Sequence, residues 1–339
     1  MNPRRRLLSM FPTAAALAAC ASAPPPPTGI VKTLADEADR LRPLAHSALA
    51  SEFLAAVPRL PLPDARTIYQ DPATRRFLSA AEVQSLDTAA RAALKPVAID
   101  SARYYTTRYG SPLAYVRAVD LMAQHGVASW RGLRLLDFGY GTVGHLRLMA
   151  LCGAQAMGVD VDTYLQALYA ESTDTGAVAG GGRVTLVHGR YPADAATRAA
   201  VGGPFDVVVS KNTLKRGYVA PVRSADPRQL IDLGVPHAEF LRTIFNALRP
   251  GGLLLIYNLA PAQAPADKPY IPAADGHSPF TPAQFEAAGF QVLAHDGNDD
   301  ARARAMGHAL GWDRTASGAI NPAFDDNLFA LYTIVQRPR

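Results

Sequence analysis

Cysteine is scarce in this 339-residue chain: Cys20 and Cys152 are the two present. A disulfide-stapled fold is thereby excluded. Cys152 sits among Leu and Ala and reads as a packing thiol rather than a nucleophile. Charge is sparse as well, at 19% of residues with a formal net charge of +5, part of it from Arg4, Arg5 and Arg6. There is no basic stripe with interleaved aromatics, so no nucleic-acid partner is expected. No H-E-x-x-H, paired-cysteine or similar ligand spacing occurs, so no metal is expected either. Proline (27) and glycine (26) fall short of what a disordered chain of this length carries. No internal repeat is visible. The apolar run from Leu7 to Ala19 is too short for a permanent membrane span.

What is present centres on Leu133 to Asp162. An apolar run, Leu133 to Leu136, leads to Asp137 and to three glycines at Gly139, Gly141 and Gly144. A helical pattern follows through His145 to Leu151 and stops at Gly153. A second apolar run ends in Val159 and Asp160. The pattern reads as strand, tight turn, helix, strand. G-x-G-x-x-G carries meaning in that context, because it places a sharp turn and a helix start beside a ligand. Gly139 permits the reversal, Gly141 lets a ligand approach the backbone, and Gly144 lets the helix pack close. The helix start is expected to present free N–H groups. Asp160, at the end of the second strand and 23 residues after Asp137, is placed to accept the hydroxyls of a ribose. Asp137 would repel a pyrophosphate, which speaks against a dinucleotide.

This segment resembles the first motif of class I S-adenosylmethionine-dependent methyltransferases, followed by that family's acid-ended second strand. The resemblance continues through Arg183 to His188 as third strand and Phe205 to Ser210 as fourth. Asn246 to Gly252 resembles the family's helix and Leu-Arg-Pro-Gly-Gly turn, with Leu253 to Tyr257 as fifth strand. Phe285 to Phe290 and Gln291 to Leu293 resemble the helix and sixth strand, and Leu328 to Val335 the closing one. It covers about Val127 to Gln336. It implies an α/β, Rossmann-like doubly wound seven-stranded sheet, mostly parallel, with the last strand antiparallel. It also implies S-adenosyl-L-methionine as cofactor. The donor would be held by Asp137, by the turn residues Gly139, Tyr140, Gly141, Thr142 and Gly144, by Asp160 and Val161, and by Ser210. The activity implied is methyl transfer to a small molecule by direct displacement at the sulfonium.

Residues 1–20 read as a signal peptide ending in a lipobox at Cys20, and Arg4-Arg5 with Leu7-Leu8 resembles a twin-arginine signal. Residues 21–29 form a proline-rich tether. Lipidation of Cys20 would anchor the protein in the cell envelope, facing the periplasm; the alternative is a cytoplasmic enzyme with an alanine-rich tail. Residues 30–126 read as a helical cap on a methyltransferase-like domain spanning residues 127–339. Helices are expected over Ile30–Leu41, Leu44–Val57, Ala80–Leu94 and from Pro112 to Gly126. Tyr104, Tyr105, Tyr109 and Tyr115 cluster at the start of the last; Tyr104 and Tyr115 read as packing, Tyr105 and Tyr109 equally as packing or as cover for a cation.

Two features depart from the family. His188-Gly189-Arg190-Tyr191 stands where relatives carry an acid for the adenine amino group, and Arg190 cannot accept a hydrogen bond. The loop after the fourth strand carries Lys211, Asn212 and Arg216, which suit either an anionic substrate or open solvent. His188 and His237 are candidate bases, though each reads more readily as a packed or surface residue. Asp275–Pro279 and Asp296–Asp326 are irregular stretches that would shape a pocket, the second with a helix at Ala301–Leu310. Two other readings stay open: an exported, catalytically inactive binding or scaffold protein on this fold, and a nicotinamide (NAD)-dependent oxidoreductase.

Overall fold

The computed structural model describes residues 28–315 and 317–339. The signal, the lipobox cysteine and almost all of the tether lie outside those residues. Strands are numbered in chain order. Three lie in the N-terminal region: β1 (Arg66–Gln70), β2 (Phe77–Leu78) and β3 (Lys95–Ile99). The main sheet holds β4 (Arg134–Phe138), β5 (Gln155–Asp160), β6 (Gly176–Ala177), β7 (Arg183–His188), β8 (Phe205–Lys211), β9 (Leu248–Ala260), β10 (Gln291–Asn298) and β11 (Phe329–Gln336). Its order is β10-β11-β9-β8-β4-β5-β7-β6. The five central strands, β9 to β7 in that order, run parallel. β11 lies antiparallel between β9 and β10. This is a Rossmann-like, doubly wound α/β sheet with its last strand reversed. The eighth strand, beyond the seven implied by the sequence, is the two-residue edge β6.

Alternation along the strands builds both faces. Leu135, Val207, Val209, Leu253 and Leu255 face one hydrophobic cluster, shared with Leu34, Phe53 and Trp130 of the N-terminal region. Leu136, Val208, Leu254 and Ile256 face the other, under the helix His237–Ala247 and Phe285. With both faces covered, the strands read as unbroken apolar runs, which is why Val207-Val208-Val209 carries no polar alternation. The helix Gly144–Leu151 is buried at every position, between the sheet and the N-terminal segment. Its approach to β5 depends on Gly158, where a methyl group would lie 2.7 Å from the Tyr140 ring and 2.8 Å from Leu146.

The N-terminal region is not wholly helical. Helices span Gly29–Leu41, Ala48–Ala55 and Val116–Gln124, the last led in by a turn of 3-10 helix at Pro112–Tyr115. Between them β1, β2 and β3 form a separate antiparallel sheet that the sequence reading does not contain. The expected helix over Ala80–Leu94 is two short ones, Ala80–Gln84 and Thr88–Ala93. Ser79 and Asp87 each cap a new N-terminus by accepting a backbone N–H, from Glu82 and Ala90 respectively. The family-like turn at Arg249–Gly252 also differs. Pairing with β8 already begins at Leu248, and the register slips before Leu253, so these residues bulge from one long strand.

Buried ion pairs join the segments. Arg117 clasps Asp299 through Nε (2.8 Å) and Nη2 (2.9 Å), and the Tyr257 hydroxyl donates to the same carboxylate (3.1 Å). Arg66 and the Tyr104 hydroxyl both donate to Asp174, each at 2.7 Å. Among the described residues, no helix is long and apolar enough to cross a membrane.

Candidate functional site

The strand order reverses between β4 and β8, and an open sheet of this kind leaves a crevice at such a point, beyond the carboxyl ends of its strands. A cavity of about 790 Å³ lies there. Its walls come from the turn after β4, the end of β5, the turn after β7 and the segment after β8.

The glycine turn is built by contacts that leave no room for side chains. Gly139 (φ +77°) and Gly141 (φ +60°) both occupy the left-handed region. A methyl group on Gly139 would sit 2.1 Å from the Thr213 Oγ1, and one on Gly141 would sit 3.0 Å from the Tyr109 ring. Gly144 admits the N-terminal segment rather than the strand: its added methyl would be 2.7 Å from Pro112. The expectation of free N–H groups at the helix start is corrected in part. Gly139 donates to the Val159 carbonyl (2.8 Å), Val143 to the Tyr169 hydroxyl (3.2 Å) and Gly144 to the Thr142 Oγ1 (3.3 Å).

Of the residues that the sequence points to, Gly139, Tyr140, Gly141, Thr142, Asp160 and Val161 line the cavity, whereas Asp137, Gly144 and Ser210 do not. Asp137 is fully buried. Its Oδ2 accepts the Tyr115 hydroxyl (2.7 Å) and bonds the His145 Nε2 (2.6 Å), with the two rings stacked 3.6 Å apart. Burial holds the His145 imidazole below its ordinary pKa, so the neutral ring donates from Nε2 to the carboxylate. Asp137 is thus an interior anchor rather than part of the cavity wall, with its Oδ1 left without a hydrogen-bond partner among the described residues. Ser210 is a tie between strands: its hydroxyl donates to the Phe138 carbonyl and accepts the Leu214 N–H, both at 3.2 Å.

Asp160 ends β5 at the cavity wall with no cation paired to it among the described residues. Burial pushes its carboxyl up to about 6, against the lowering effect of backbone N–H groups from Asp162, Gly141 and Val161. Asp162, two residues on, accepts the Tyr164 N–H (3.0 Å) and pairs with Arg108. Tyr109 lies over Gly141 with its ring half-exposed. The other tyrosines are structural in their bonds. Tyr105 donates to the Pro61 carbonyl (2.6 Å), and Tyr115 spends its hydroxyl on Asp137 while its body reaches the cavity wall.

Arg190 is not loose: it pairs with Asp232 (3.1 Å), so an acid does stand at this end of the cavity, delivered by a later loop. Tyr191 is buried beside it. Of the three polar residues singled out after β8, Lys211 faces the cavity. Asn212, held at φ +65°, also lines it, while its side chain accepts the Leu259 N–H (2.7 Å). Arg216 turns away to Asp275 (2.8 Å). Lys215, missed in the sequence, also reaches the cavity and donates to the Leu259 and Ala273 carbonyls. Burial lowers both lysines to about 8. Neither His188 nor His237 lines the cavity, and the described residues of the stretch 296–326 contribute nothing to its wall.

No family model matches the chain, and no curated protein matches it. Solved structures do. The [4+2]-cyclase SpnF is 19% identical over 66% of this chain and 80% of its own, with a TM-score of 0.38. Phosphoethanolamine N-methyltransferase 2 of Haemonchus contortus, solved with S-adenosyl-L-methionine, is 14% identical over 81% of this chain and 68% of its own, at 0.38. An S-adenosylmethionine-dependent methyltransferase from Mesorhizobium loti is 20% identical over 66% and 98%, at 0.38. Likenesses this distant say nothing of activity, and the fold stands on the strand order and register given above.

Proposed function

We propose that the cavity binds S-adenosylmethionine and that the protein transfers its methyl group to a small molecule. The observation that carries this reading is Asp160, a half-buried carboxylate with no cation partner among the described residues, at the end of β5 and lining the cavity beside the glycine turn. A carboxylate left in that condition suits a ligand that brings hydroxyl donors, as a ribose does. The N–H groups of Gly139, Val143 and Gly144 in the neighbouring turn are taken by protein partners, which suits an adenosyl compound better than the pyrophosphate of a dinucleotide. This replaces the role first expected of Asp137.

When bound, the donor supplies a methyl group on a sulfonium, already activated for displacement. The chain has to bind, orient and exclude water. Asp160 would accept the sugar hydroxyls, while Val161 and Tyr191 offer apolar wall to the base. Thr142 is held by its bond to the Tyr105 carbonyl (2.6 Å), which keeps the turn and the N-terminal segment in fixed relation. No imidazole lines the cavity, so the reading favours an acceptor that arrives ionised or is itself a soft nucleophile. The envelope location through Cys20 belongs to the same proposal.

Calorimetric titration tests it. S-adenosylmethionine and its demethylated product should bind the wild type, NAD should not, and Asp160→Ala should lose most of the affinity. Binding of NAD alone would overturn the reading. Transfer of a labelled methyl group to extract metabolites then separates an enzyme from an inactive binding protein on this fold.

A further inference from the structure

We propose that Lys211 and Lys215 receive an anionic group, a carboxylate or a phosphate, carried by the methyl acceptor. This rests on the reading of the cavity as a methyl-donor site. Among the described residues, five cationic side chains line the cavity, and three of them are already paired: Arg108 with Asp162, Arg190 with Asp232 at 3.1 Å, and Arg228 with Asp226 at 2.5 Å. Lys211 and Lys215 form no ion pair among the described residues.

The two lysines are built into the wall rather than waving in solvent. Lys215 is buried and spends two of its protons on the carbonyls of Leu259 and Ala273, which fixes the ammonium and leaves its third proton unassigned. Lys211 rests over the face of the Tyr115 ring, 5.4 Å from the centroid. Asp137, whose hydrogen bonds come from neutral groups, lies behind it and balances part of its charge. At the cavity wall, among the described residues, the two ammoniums face one carboxylate without a cation partner, Asp160.

The donor tips this balance towards positive charge. S-adenosylmethionine carries a sulfonium, an ammonium and a carboxylate, so its arrival adds a further positive charge. Its carboxylate is already offset by its own ammonium. Uncompensated buried charge is costly, and an acidic acceptor is the partner that removes it. The same field would draw an acidic acceptor into the cavity and turn cationic ones away.

The test uses the mature full-length chain and inorganic phosphate as probe. Amines are acetylated briefly at pH 8 and read residue by residue by mass spectrometry, with Lys32 and Lys268 as exposed controls. Phosphate should slow modification of Lys211 and Lys215 several-fold and leave the controls unchanged. In calorimetry, Lys211→Met and Lys215→Met should each weaken phosphate binding by about 10-fold or more, with folding checked by circular dichroism. Absence of protection in the wild type would overturn the proposal, and this arm needs no variant to fold. Comparing S-adenosylmethionine with its decarboxylated form separates the two sources of an anion. If Lys211→Met weakens the first and spares the second, the lysine belongs to the donor's carboxylate, and the acceptor assignment falls. Protection by phosphate in a protein that binds no donor would keep the anion site and overturn its assignment to a methyl acceptor.

Discussion

Replacing Asp160 by Asn should change how stability depends on pH. The carboxyl sits at about 6 in the folded protein against an ordinary 3.8. Between those values the native state holds more protons than the unfolded one. The stability that goes with the protonated form is complete below the unfolded value and drains away as pH rises through 6. From pH 4.5 to 7.5 the wild type should lose about 2 kcal/mol that Asp160→Asn does not lose. The amide accepts the Asp162 N–H less well than the carboxylate does. That handicap is the same at every pH, so it offsets the two profiles without altering how the gap between them changes. Equilibrium urea unfolding of both proteins at pH 4.5, 6 and 7.5 measures the difference. A gap that stays constant, or widens in the opposite direction, would refute the reasoning. Donor binding provides a cross-check: ribose hydroxyls favour the ionised carboxylate, so binding near pH 6 should release part of a proton, seen by calorimetry in two buffers of different ionisation enthalpy.

Asp137→Ala removes the acceptor of two buried hydrogen bonds and should cost about 3–5 kcal/mol, with Asp137→Asn nearer ~1–2 kcal/mol, both read by urea unfolding. Retained stability with lost donor affinity would instead place Asp137 at the ligand. Gly158→Val drives a branched side chain into Tyr140 and Leu146 and should cost about 1–3 kcal/mol by the same measurement. Burial pushes the Cys152 thiol up to about 11 from an ordinary 9.0. At pH 8 its alkylation, followed by peptide mass spectrometry, should therefore run about 100-fold slower in the folded protein than in the unfolded one. Mass spectrometry of the protein purified from its native membranes should find Cys20 as a lipidated first residue; a chain starting at Met1 would refute export.

The main sheet was legible because its signals are local. Arg183–His188 is the same in sequence and structure, and the glycines around Gly141 sit between a strand and a helix, where only a turn fits. Asp160 was legible for the same reason, as the polar end of an apolar strand. What could not be read depends on distant partners. The role of Asp137 is set by Tyr115, 22 positions earlier, and by a histidine on the following helix. Asp232 reaches Arg190 across 42 positions. The strands β1 and β3 are short and half-exposed, and Pro96 sits in β3, at an edge where a missing N–H is tolerated. Nothing in their own composition distinguishes them from loop.

Tyr109 lies over Gly141, its hydroxyl 3.2 Å from the Arg108 guanidinium and 3.5 Å from Asp162. If the cavity is the donor site proposed above, a guest seated on Gly141 would have to displace the phenol, and Tyr109→Ala should speed both arrival and departure in stopped-flow binding.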